Sequence, residues 1–409
     1  PADAEVIVVN TCSFIQPATE ESIDTILELA GRKLDGSCEA LVVTGCMVQR
    51  YGPSLEAELP EVDHFLGTGE YHRIAEILQR RDGPPIRSHI DVPLYLHDEL
   101  TPRINSWSQC SAYLKISEGC DHRCAFCIIP TLRGRLRSRT VPSLVAEASR
   151  LAQGGVVELN LVSQDSTAYG RDLRDGTGLG QLMEALSQID GIEWIRLHYA
   201  YPHGIPEGLL EQLAHNDKVC RYLDIPLQHA SGPMLKAMRR GVTREGQERI
   251  LDRIRAHVPD LTIRTTFIVG FPGETDEDFE ELCDFVTAQR FDHVGVFTYF
   301  QEEGTPAATL AEQLPDALKA ERQATLMELQ RRISRERLAS RIGTIERVLV
   351  EGVSEESSLV LRGRTQHQAP DVDGQVFLAN AEGLQIGALV PARITQASDY
   401  DLVGELVSG

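Results

Sequence analysis

Ile116-Ser117-Glu118-Gly119-Cys120-Asp121-His122-Arg123-Cys124-Ala125-Phe126-Cys127-Ile128-Ile129-Pro130 carries three thiols in the spacing C-x3-C-x2-C. Three is the informative number. A structural zinc or a closed iron-sulfur site takes four protein ligands, whereas three leave one metal position open for chemistry. A cubane 4Fe-4S cluster held this way has one iron without a protein ligand. Gly119 before the first thiol and Gly134 at the end of the run let the backbone approach an inorganic cluster closely. The competing reading is a zinc site that borrows His122 or Cys110 as its fourth ligand. Zinc ligands usually come as paired C-x2-C or H-x3-H units, and the sequence offers no second pair.

At 409 residues the chain exceeds one ordinary core and is expected to divide into two or three domains. With 42% hydrophobic and 25% charged residues it reads as globular. It shows no apolar run of about 18 residues, and Pro1-Ala2-Asp3-Ala4-Glu5 is acidic where a leader would be basic. The expectation is a protein that neither spans a membrane nor is exported. Nine cysteines, an odd number, argue against a disulfide framework and for a reducing cytoplasm. Forty Lys and Arg against 61 Asp and Glu give a net charge of −21, which disfavours a phosphate backbone as partner and favours a basic one. Solubility alone also accounts for an acidic balance.

Upstream of the cysteine loop, Glu5-Val6-Ile7-Val8-Val9-Asn10 is nearly continuous and β-branched, so it reads as a strand buried on both faces. A helix over 19–33 and a second buried strand over 40–44 complete a βαβ unit. Each strand ends in a thiol, in Asn10-Thr11-Cys12 and Thr44-Gly45-Cys46. Ligands gather at the carboxyl ends of strands in open α/β sheets, so the two thiols are placed to converge. A helix near Leu55, a strand at 64–67 and a helix over 71–80 follow, and Pro84-Pro85 opens an irregular linker to about residue 108.

Downstream, strands at 113–117, 157–162, 193–198, 221–226, 262–268 and 292–298 alternate with helices at 178–188, 206–214, 243–256 and 275–288. Six strands with helical crossovers fit a partial parallel barrel whose active groups lie in the loops after the strands. Those loops hold Ser163-Gln164-Asp165-Ser166-Thr167-Ala168-Tyr169-Gly170, His198-Tyr199, Pro226-Leu227-Gln228-His229 and Gly270-Phe271-Pro272-Gly273-Glu274. An arginine-rich helix over 316–340 has interleaved acids and reads as a solvated face. Short strands at 347–351, 358–362, 375–378, 388–395 and 402–406 then make a small antiparallel barrel. Cys220 and Cys283 lie in apolar patterns and read as core thiols. Cys38 and Cys110 match no cluster motif. His198 and His229 fit a structural role as well as a substrate contact.

With these motifs in view, essentially the whole chain resembles the methylthiotransferases of the radical S-adenosylmethionine superfamily. Phe126 just before the last thiol belongs to that likeness. Asn10-Thr11-Cys12 and Thr44-Gly45-Cys46 match two of the family's three accessory cysteine motifs, and Gly363-Arg364-Thr365 is similar to its small-barrel signature. The fold class implied is α/β in three parts. A truncated N-terminal Rossmann-like α/β domain (1–98) carries the accessory cluster. A partial parallel (β/α)6 TIM-like radical-SAM barrel with its linker helix follows (99–340), then a small antiparallel β-barrel of TRAM, OB-like type (341–409).

The resemblance implies that Cys120, Cys124 and Cys127 hold a 4Fe-4S cluster that cleaves S-adenosylmethionine, and that Cys12 and Cys46 hold a second one. Phe126, Gln164, Asp165, Asp224, Gly270 and Gly273 are the expected cofactor contacts, with no further catalytic residue assigned. The third accessory thiol, expected upstream of Asn10, is missing, and Cys38 lies too far from Cys46 to replace it. The accessory cluster is therefore expected to be incomplete, with most methylthio transfer lost.

Cys127-Ile128-Ile129-Pro130-Thr131-Leu132-Arg133-Gly134, Ser163 to Gly170 and Tyr222-Leu223-Asp224-Ile225-Pro226-Leu227-Gln228-His229-Ala230-Ser231 resemble the RimO-type branch. That branch modifies the β-carbon of an aspartate in ribosomal small-subunit protein twelve. By resemblance, a 5′-deoxyadenosyl radical removes hydrogen from that carbon, and a sulfur methylated by a second S-adenosylmethionine is transferred. The expected partners are that ribosomal protein, within or outside the ribosome, and a low-potential flavodoxin- or ferredoxin-type donor. Neither a membrane nor direct nucleic-acid binding is expected. Two other readings stay open: a methylthiotransferase acting on an adenosine derivative in transfer RNA, and a non-enzymatic, zinc-stabilised ribosome-binding factor. Residues 341–409 hold five basic positions against ten acidic ones, which weighs against an RNA substrate.

Overall fold

The computed structural model describes residues 4–34, 36, 38–79, 87–355, 357, 359–379 and 383–407. The expected helix end at Arg80, the linker start at Pro84-Pro85 and the strand start at Ser358 lie outside them. Two compact units form, one from Pro1–Leu96, Glu118–Arg137 and Phe300–Leu310, the other from His97–Ser117, Ser138–Tyr299 and Ala311–Gly409.

In the first unit β1 (Val6–Thr11), α1 (Gln16–Leu34), β2 (Ala40–Gly45), α2 (Cys46–Glu58) and β3 (His64–Leu66) alternate. One turn of 3-10 helix, Tyr71–Arg73, runs into α3 (Ile74–Gln79), and β4 (Ser88–His89) closes a parallel sheet in the order β1-β2-β3-β4. β4 falls in the stretch expected to be irregular. The expectation for β1 is corrected on one face: Ile7 and Val9 pack with Ile26 and Ala30 of α1, while Val6 and Val8 are 40% and 48% exposed. A β-branched run favours a strand but does not say how many layers cover it, and β1 is a sheet edge with its helix on one side. The cysteine loop and α4 (Ile129–Arg133) belong to the same unit.

The second unit opens with β5 (Ser111–Lys115); the two-residue strands β6 (Ser117–Glu118) and β7 (Arg137–Ser138), which flank the cysteine loop in the chain, each have one residue in either unit. After α5 (Val141–Gln153) come β8 (Glu158–Val162), α6 (Leu179–Ser187), β9 (Trp194–Leu197), α7 (Glu207–His215) and β10 (Val219–Asp224). Then follow α8 (Gly232–Ala237), α9 (Arg244–His257), β11 (Thr262–Val269), α10 (Asp276–Gln289) and β12 (His293–Thr298). The six long strands pair in parallel in the order β12-β11-β10-β9-β8-β5, an open sheet as expected of a partial barrel. The sequence reading has no counterpart for α5 or α8. Alternation splits the strands. Leu159, Leu161, Ile195, Leu197, Leu223, Ile263 and Phe267 pack into the helix layer, while Glu158, Asn160, Arg196, His198, Tyr222, Asp224 and Arg264 make the other face polar.

After α11 (Asp316–Ala339), the strands β13 (Ile345–Val353), β14 (Val360–Thr365), β15 (Val376–Ala379), β16 (Leu389–Ala397) and β17 (Leu402–Leu406) form a closed barrel. It is not wholly antiparallel, because β15 pairs with β17 in parallel. The solvated-face reading of α11 is corrected at Arg322, while Arg332 and Arg335 are exposed. Arg322 is buried on Glu274 at 2.7 Å, Arg337 pairs with Asp292 at 2.5 Å, and Arg331 and Arg335 share Asp399. Interleaved acids signal pairing along a helix, and Arg331 does pair with Glu328 at 2.8 Å, but Arg322, Arg335 and Arg337 found tertiary acids. No helix among the described residues is long and apolar enough to cross a membrane.

Candidate functional site

The cysteine loop is closed by its glycines. Gly119 sits at φ +81°, and a Cβ there would fall 2.1 Å from the Arg135 carbonyl oxygen. The loop's two ends therefore meet only because this residue has no side chain. Cys120 N donates to Gly134 O at 3.0 Å, and Cys127 N to Cys124 O at 3.2 Å, so the three thiols share one tight turn. Asp121 Oδ1 accepts from Arg135 Nε and Leu136 N. Cys124 is buried, Cys120 and Cys127 are half-buried, and half-buried Phe126 lies between. Among the described residues no three His, Cys, Asp or Glu side chains converge as a mononuclear metal site would require. A cubane does not ask for that, since each thiolate takes a different iron. The donor set and the Cβ-free cradle fit such a cluster on Cys120, Cys124 and Cys127.

The accessory thiols are placed by the parallel register of β1 and β2, which pairs Thr11 with Gly45 and so brings Cys12 and Cys46 to the same sheet end. Gly45, at φ +108°, would put a Cβ 2.5 Å from Thr11 O, so the close approach of the two turns needs a glycine. Cys12 is exposed and its N–H donates to Ser22 Oγ. Cys46 opens α2 and is buried against Ile128 and Leu132, which flank and belong to α4. Arg133 donates from one guanidinium nitrogen to Cys46 Sγ at 3.3 Å and lies 3.6 Å from Glu118 with the other. The structure thus brings an accessory thiol and the helix after the radical loop together. Cys38 donates its S–H to Ala40 O inside the small core. Cys220 is fully buried and Cys283 half-buried against the main core; burial pushes both thiols up to about 11.

In the second unit the carboxyl ends of the strands are tied to one another. Asp165 caps a 3-10 turn, its Oδ1 accepting from Thr167 N and Oγ, so it shapes the loop that carries Gln164. Ser166 ties that loop to β9 through its hydroxyl on His198 O at 2.6 Å and its N–H on Tyr199 O. Tyr199 stands at φ +60°, half exposed, and its N–H donates to Asp224 Oδ2 at 3.2 Å. Burial pushes the Asp224 carboxyl up to about 6, opposed by Arg264 at 3.8 Å. Gln228 is also left-handed, at φ +74°, and bonds β11 through Thr266 O and Ile268 N. Non-glycine residues in this region carry strain, and such strain clusters at functional sites. Tyr199 and Gln228 were noted in the sequence only as loop residues, because backbone strain leaves no trace in composition.

Gly270 and Gly273 lie at φ +73° and +80°, and the turn between them is closed by Glu274, whose Oε2 accepts from Gly270 N at 2.8 Å. Glu274 is the buried residue that sequence reasoning passed over within the stretch it quoted. His229 is fully buried, Nδ1 accepting from Ser231 N and Nε2 lying 3.6 Å from Glu274. His198 bonds Asn160 Oδ1, and burial pushes it down to about 3, so it is neutral. Both histidines are thereby engaged inside the protein. Candidate contacts thus fall in two groups: Asp224 with Tyr199 and Arg264, and Gly270 with Gly273 and Glu274.

Comparison with known proteins places these features. Residues 114–286 match the Radical SAM superfamily, 342–407 the TRAM domain and 1–67 an uncharacterized protein family, UPF0004. The chain is similar in fold to the radical S-adenosylmethionine methyltransferase TsrM from Kitasatospora setae, solved with cobalamin and a [4Fe-4S] cluster bound. That match has a TM-score of 0.57 and 17% identity, covering 75% of this chain and 66% of that one. The chain is 53% identical over 405 residues, 99% of its length and 90% of the relative's, to the ribosomal protein uS12 methylthiotransferase RimO of Pelobacter propionicus. The RimO of Geobacter sulfurreducens is 51% identical over 99% of the chain and 91% of the relative. That of Myxococcus xanthus is 52% identical over 99% and 84%. With identity of this order along its whole length, and a thiol loop, open six-stranded sheet and closed five-stranded barrel in sequence, the chain belongs to the RimO family of radical SAM methylthiotransferases.

Proposed function

We propose that the chain methylthiolates the β-carbon of an aspartate in ribosomal protein uS12. Cys120, Cys124 and Cys127 would hold the cluster that binds S-adenosylmethionine, and Cys12 and Cys46 would contribute to a second one. When bound, the first cluster supplies the low-potential electron that cleaves the sulfonium bond. The chain's own residues do the rest by placement. Gly270 and Gly273 let the backbone approach the cofactor, Glu274 holds their turn, and Asp224 fixes Tyr199 at the carboxyl edge of the sheet. A flavodoxin- or ferredoxin-type donor and a cytoplasmic setting complete the reading.

The observation that carries it is the placement of Cys46 against Ile128, Leu132 and Arg133, immediately after the radical loop, in the same compact unit as all five candidate thiolates. An enzyme that joins a sulfur to a freshly made carbon radical needs both thiol sets at one place. Mass spectrometry of ribosomal proteins and transfer RNA from cells lacking the gene tests it. uS12 is expected to lose a methylthio group while the RNA is unchanged; loss from the RNA alone would refute the assignment. Anaerobic reconstitution separates the enzyme from a zinc-stabilised binding factor: iron and 5′-deoxyadenosine are expected, and stoichiometric zinc without either would refute it.

A further inference from the structure

Phe300–Leu310, the segment that follows β12 in the chain, clusters with the two cysteine regions. Its Glu302 is buried, with 7% of its side chain exposed, and carries two partners from the accessory region. Glu302 Oε1 accepts from Gln16 N at 2.6 Å, at the start of α1 just after Cys12, and Oε2 from Arg50 of α2 at 2.9 Å. Arg50, equally buried, also donates to Ser13 O at 2.9 Å and to Glu303 O at 2.6 Å. One ion pair therefore ties the turn carrying Cys12 to the helix that begins at Cys46.

The same segment grips the radical loop. Ala307 N donates at 2.9 Å to the carbonyl of Ala125, between Cys124 and Cys127. A Cβ on Gly304 would touch Ile128 Cδ1 at 3.3 Å, and Ile128 packs on Cys46. Within the segment Thr305 donates through its hydroxyl to Glu302 O at 2.7 Å, and Pro306–Thr309 is a 3-10 turn, so the Glu302 and Ala307 anchors are rigidly spaced.

We propose that Phe300–Leu310 is a strap that sets the position of the accessory thiols against the radical loop, with Glu302 as its positioning residue. The inference deepens the methylthiotransferase reading and rests on it. Cleavage of S-adenosylmethionine needs only the loop of Cys120, Cys124 and Cys127, whereas sulfur transfer needs both thiol sets in register. Loss of Glu302 strands a buried Arg50 and frees the Ser13–Gln16 turn. It therefore uncouples transfer from cleavage.

The test compares the full-length wild type, Glu302→Ala, Glu302→Gln and Glu303→Ala, reconstituted anaerobically with dithionite as reductant and recombinant uS12 as substrate. Methylthio product per 5′-deoxyadenosine is expected to fall about tenfold to a hundredfold in Glu302→Ala, with cleavage within about twofold of wild type, since an ångström of misplacement has effects of that size. Glu302→Gln keeps an acceptor for Gln16 N and is expected to fall between; Glu303→Ala, which removes an exposed carboxylate and leaves the Glu303 carbonyl to Arg50, keeps the wild-type ratio. Hydrogen exchange on the cluster-free proteins reads the strap without activity: the Gln16 and Ala307 amides are expected to exchange faster in Glu302→Ala, while β8 to β11 stay protected. An unchanged ratio, or cleavage and transfer falling together, overturns the proposal, as does unchanged exchange at Gln16 and Ala307. If Glu302→Ala does not fold, Glu302→Gln decides by the same ratio. A wild type that cleaves no S-adenosylmethionine, or that modifies transfer RNA in place of uS12, refutes the functional reading instead, and the exchange measurement still judges the strap.

Discussion

Glu158 offers the sharpest energetic test. It is completely buried and accepts from Ser111 Oγ at 2.8 Å, Arg196 Nε at 3.0 Å and Arg364 of the closed barrel at 2.5 Å. Arg364 also pairs with Glu351 at 2.7 Å, so two carboxylates balance two guanidiniums. Removing one partner of such a pair costs about 3–5 kcal/mol, chiefly through the charge left behind, and the partners here are not equivalent. Glu158→Gln leaves Arg196, fully buried, with the Gln366 carbonyl at 2.8 Å and no carboxylate, whereas Arg364 keeps Glu351. Arg364→Met leaves Glu158 on Arg196 and Ser111, and Glu351, with 17% of its side chain exposed, turns to water. Glu158→Gln should therefore cost about 3–5 kcal/mol and Arg364→Met about 1–3. Adding Arg196→Met to Glu158→Gln should restore most of the loss, because the stranded cation goes with it.

A chain of several cores has no single unfolding free energy, so the assay is urea-dependent hydrogen exchange read at β8, β9 and β14. Equal costs for the two single variants, or no rescue by Arg196→Met, would refute the reasoning. pH gives an independent reading. Burial works to raise the Glu158 carboxyl, but Arg364 and Arg196 outweigh it and hold it well below its ordinary 4.5. The stabilisation is thus fully present above pH 4.5 and is lost as pH falls toward the folded value, a dependence that Glu158→Gln should abolish.

Three further outcomes follow from the same geometry. Gly119→Ala forces a Cβ to within 2.1 Å of a backbone oxygen and should abolish iron incorporation; Gly155→Ala, at φ +95° in open space, should cost about 1 kcal/mol and leave iron content intact, as iron analysis will tell. Asp224, raised by burial from 3.8 to about 6, favours the folded state in its protonated form, so its contribution is lost as pH rises between those values. Asp224→Asn should flatten the pH dependence of urea-dependent hydrogen exchange at β10 across that window, and an unchanged slope would count against it. Cys220→Ala should leave the iron stoichiometry unchanged, and the wild-type thiol, raised to about 11, should resist alkylation at pH 8 in the native protein.

What was readable in the chain was local. The C-x3-C-x2-C loop and the six-strand alternation each announce themselves within a window of a few residues, and the sheet order follows once the crossovers are right-handed. α5 had its signals too: Thr140 accepts from Ser143 N as an N-cap and Pro142 stands in the first turn. The sequence reading assigned no helix between the cysteine loop and the strand at 157–162. α8, only six residues long, offers too short a period to recognise. Glu302 was invisible for another reason: Arg50 lies 252 positions away, and an isolated Glu in a polar segment has the composition of a surface. The same holds for Arg322, which found the buried Glu274 instead of solvent.

The closed barrel shows how such long-range pairing changes what composition means. Its charge count already argued against a nucleic-acid surface, but a handful of well-placed arginines can bind a phosphate backbone whatever the total. Here three of the five basic residues of 341–409 are held by carboxylates: Arg364 by Glu158 and Glu351, Arg341 by Glu346 at 2.8 Å, and Arg347 by Glu193 at 3.0 Å. Arg364, in the stretch that resembles the family's barrel signature, is 1% exposed and cannot meet a phosphate without breaking the network under it. The signature arginine thus fastens the barrel to the polar face of the six-stranded sheet, where Tyr222 reaches Asp373 at 2.7 Å and Thr262 meets His367 at 2.8 Å. With Arg364 buried and Arg341 and Arg347 paired to carboxylates, the ten acids of 341–409 outweigh its cations in setting the outer field, and an acidic field suits a basic protein such as a ribosomal substrate better than an RNA.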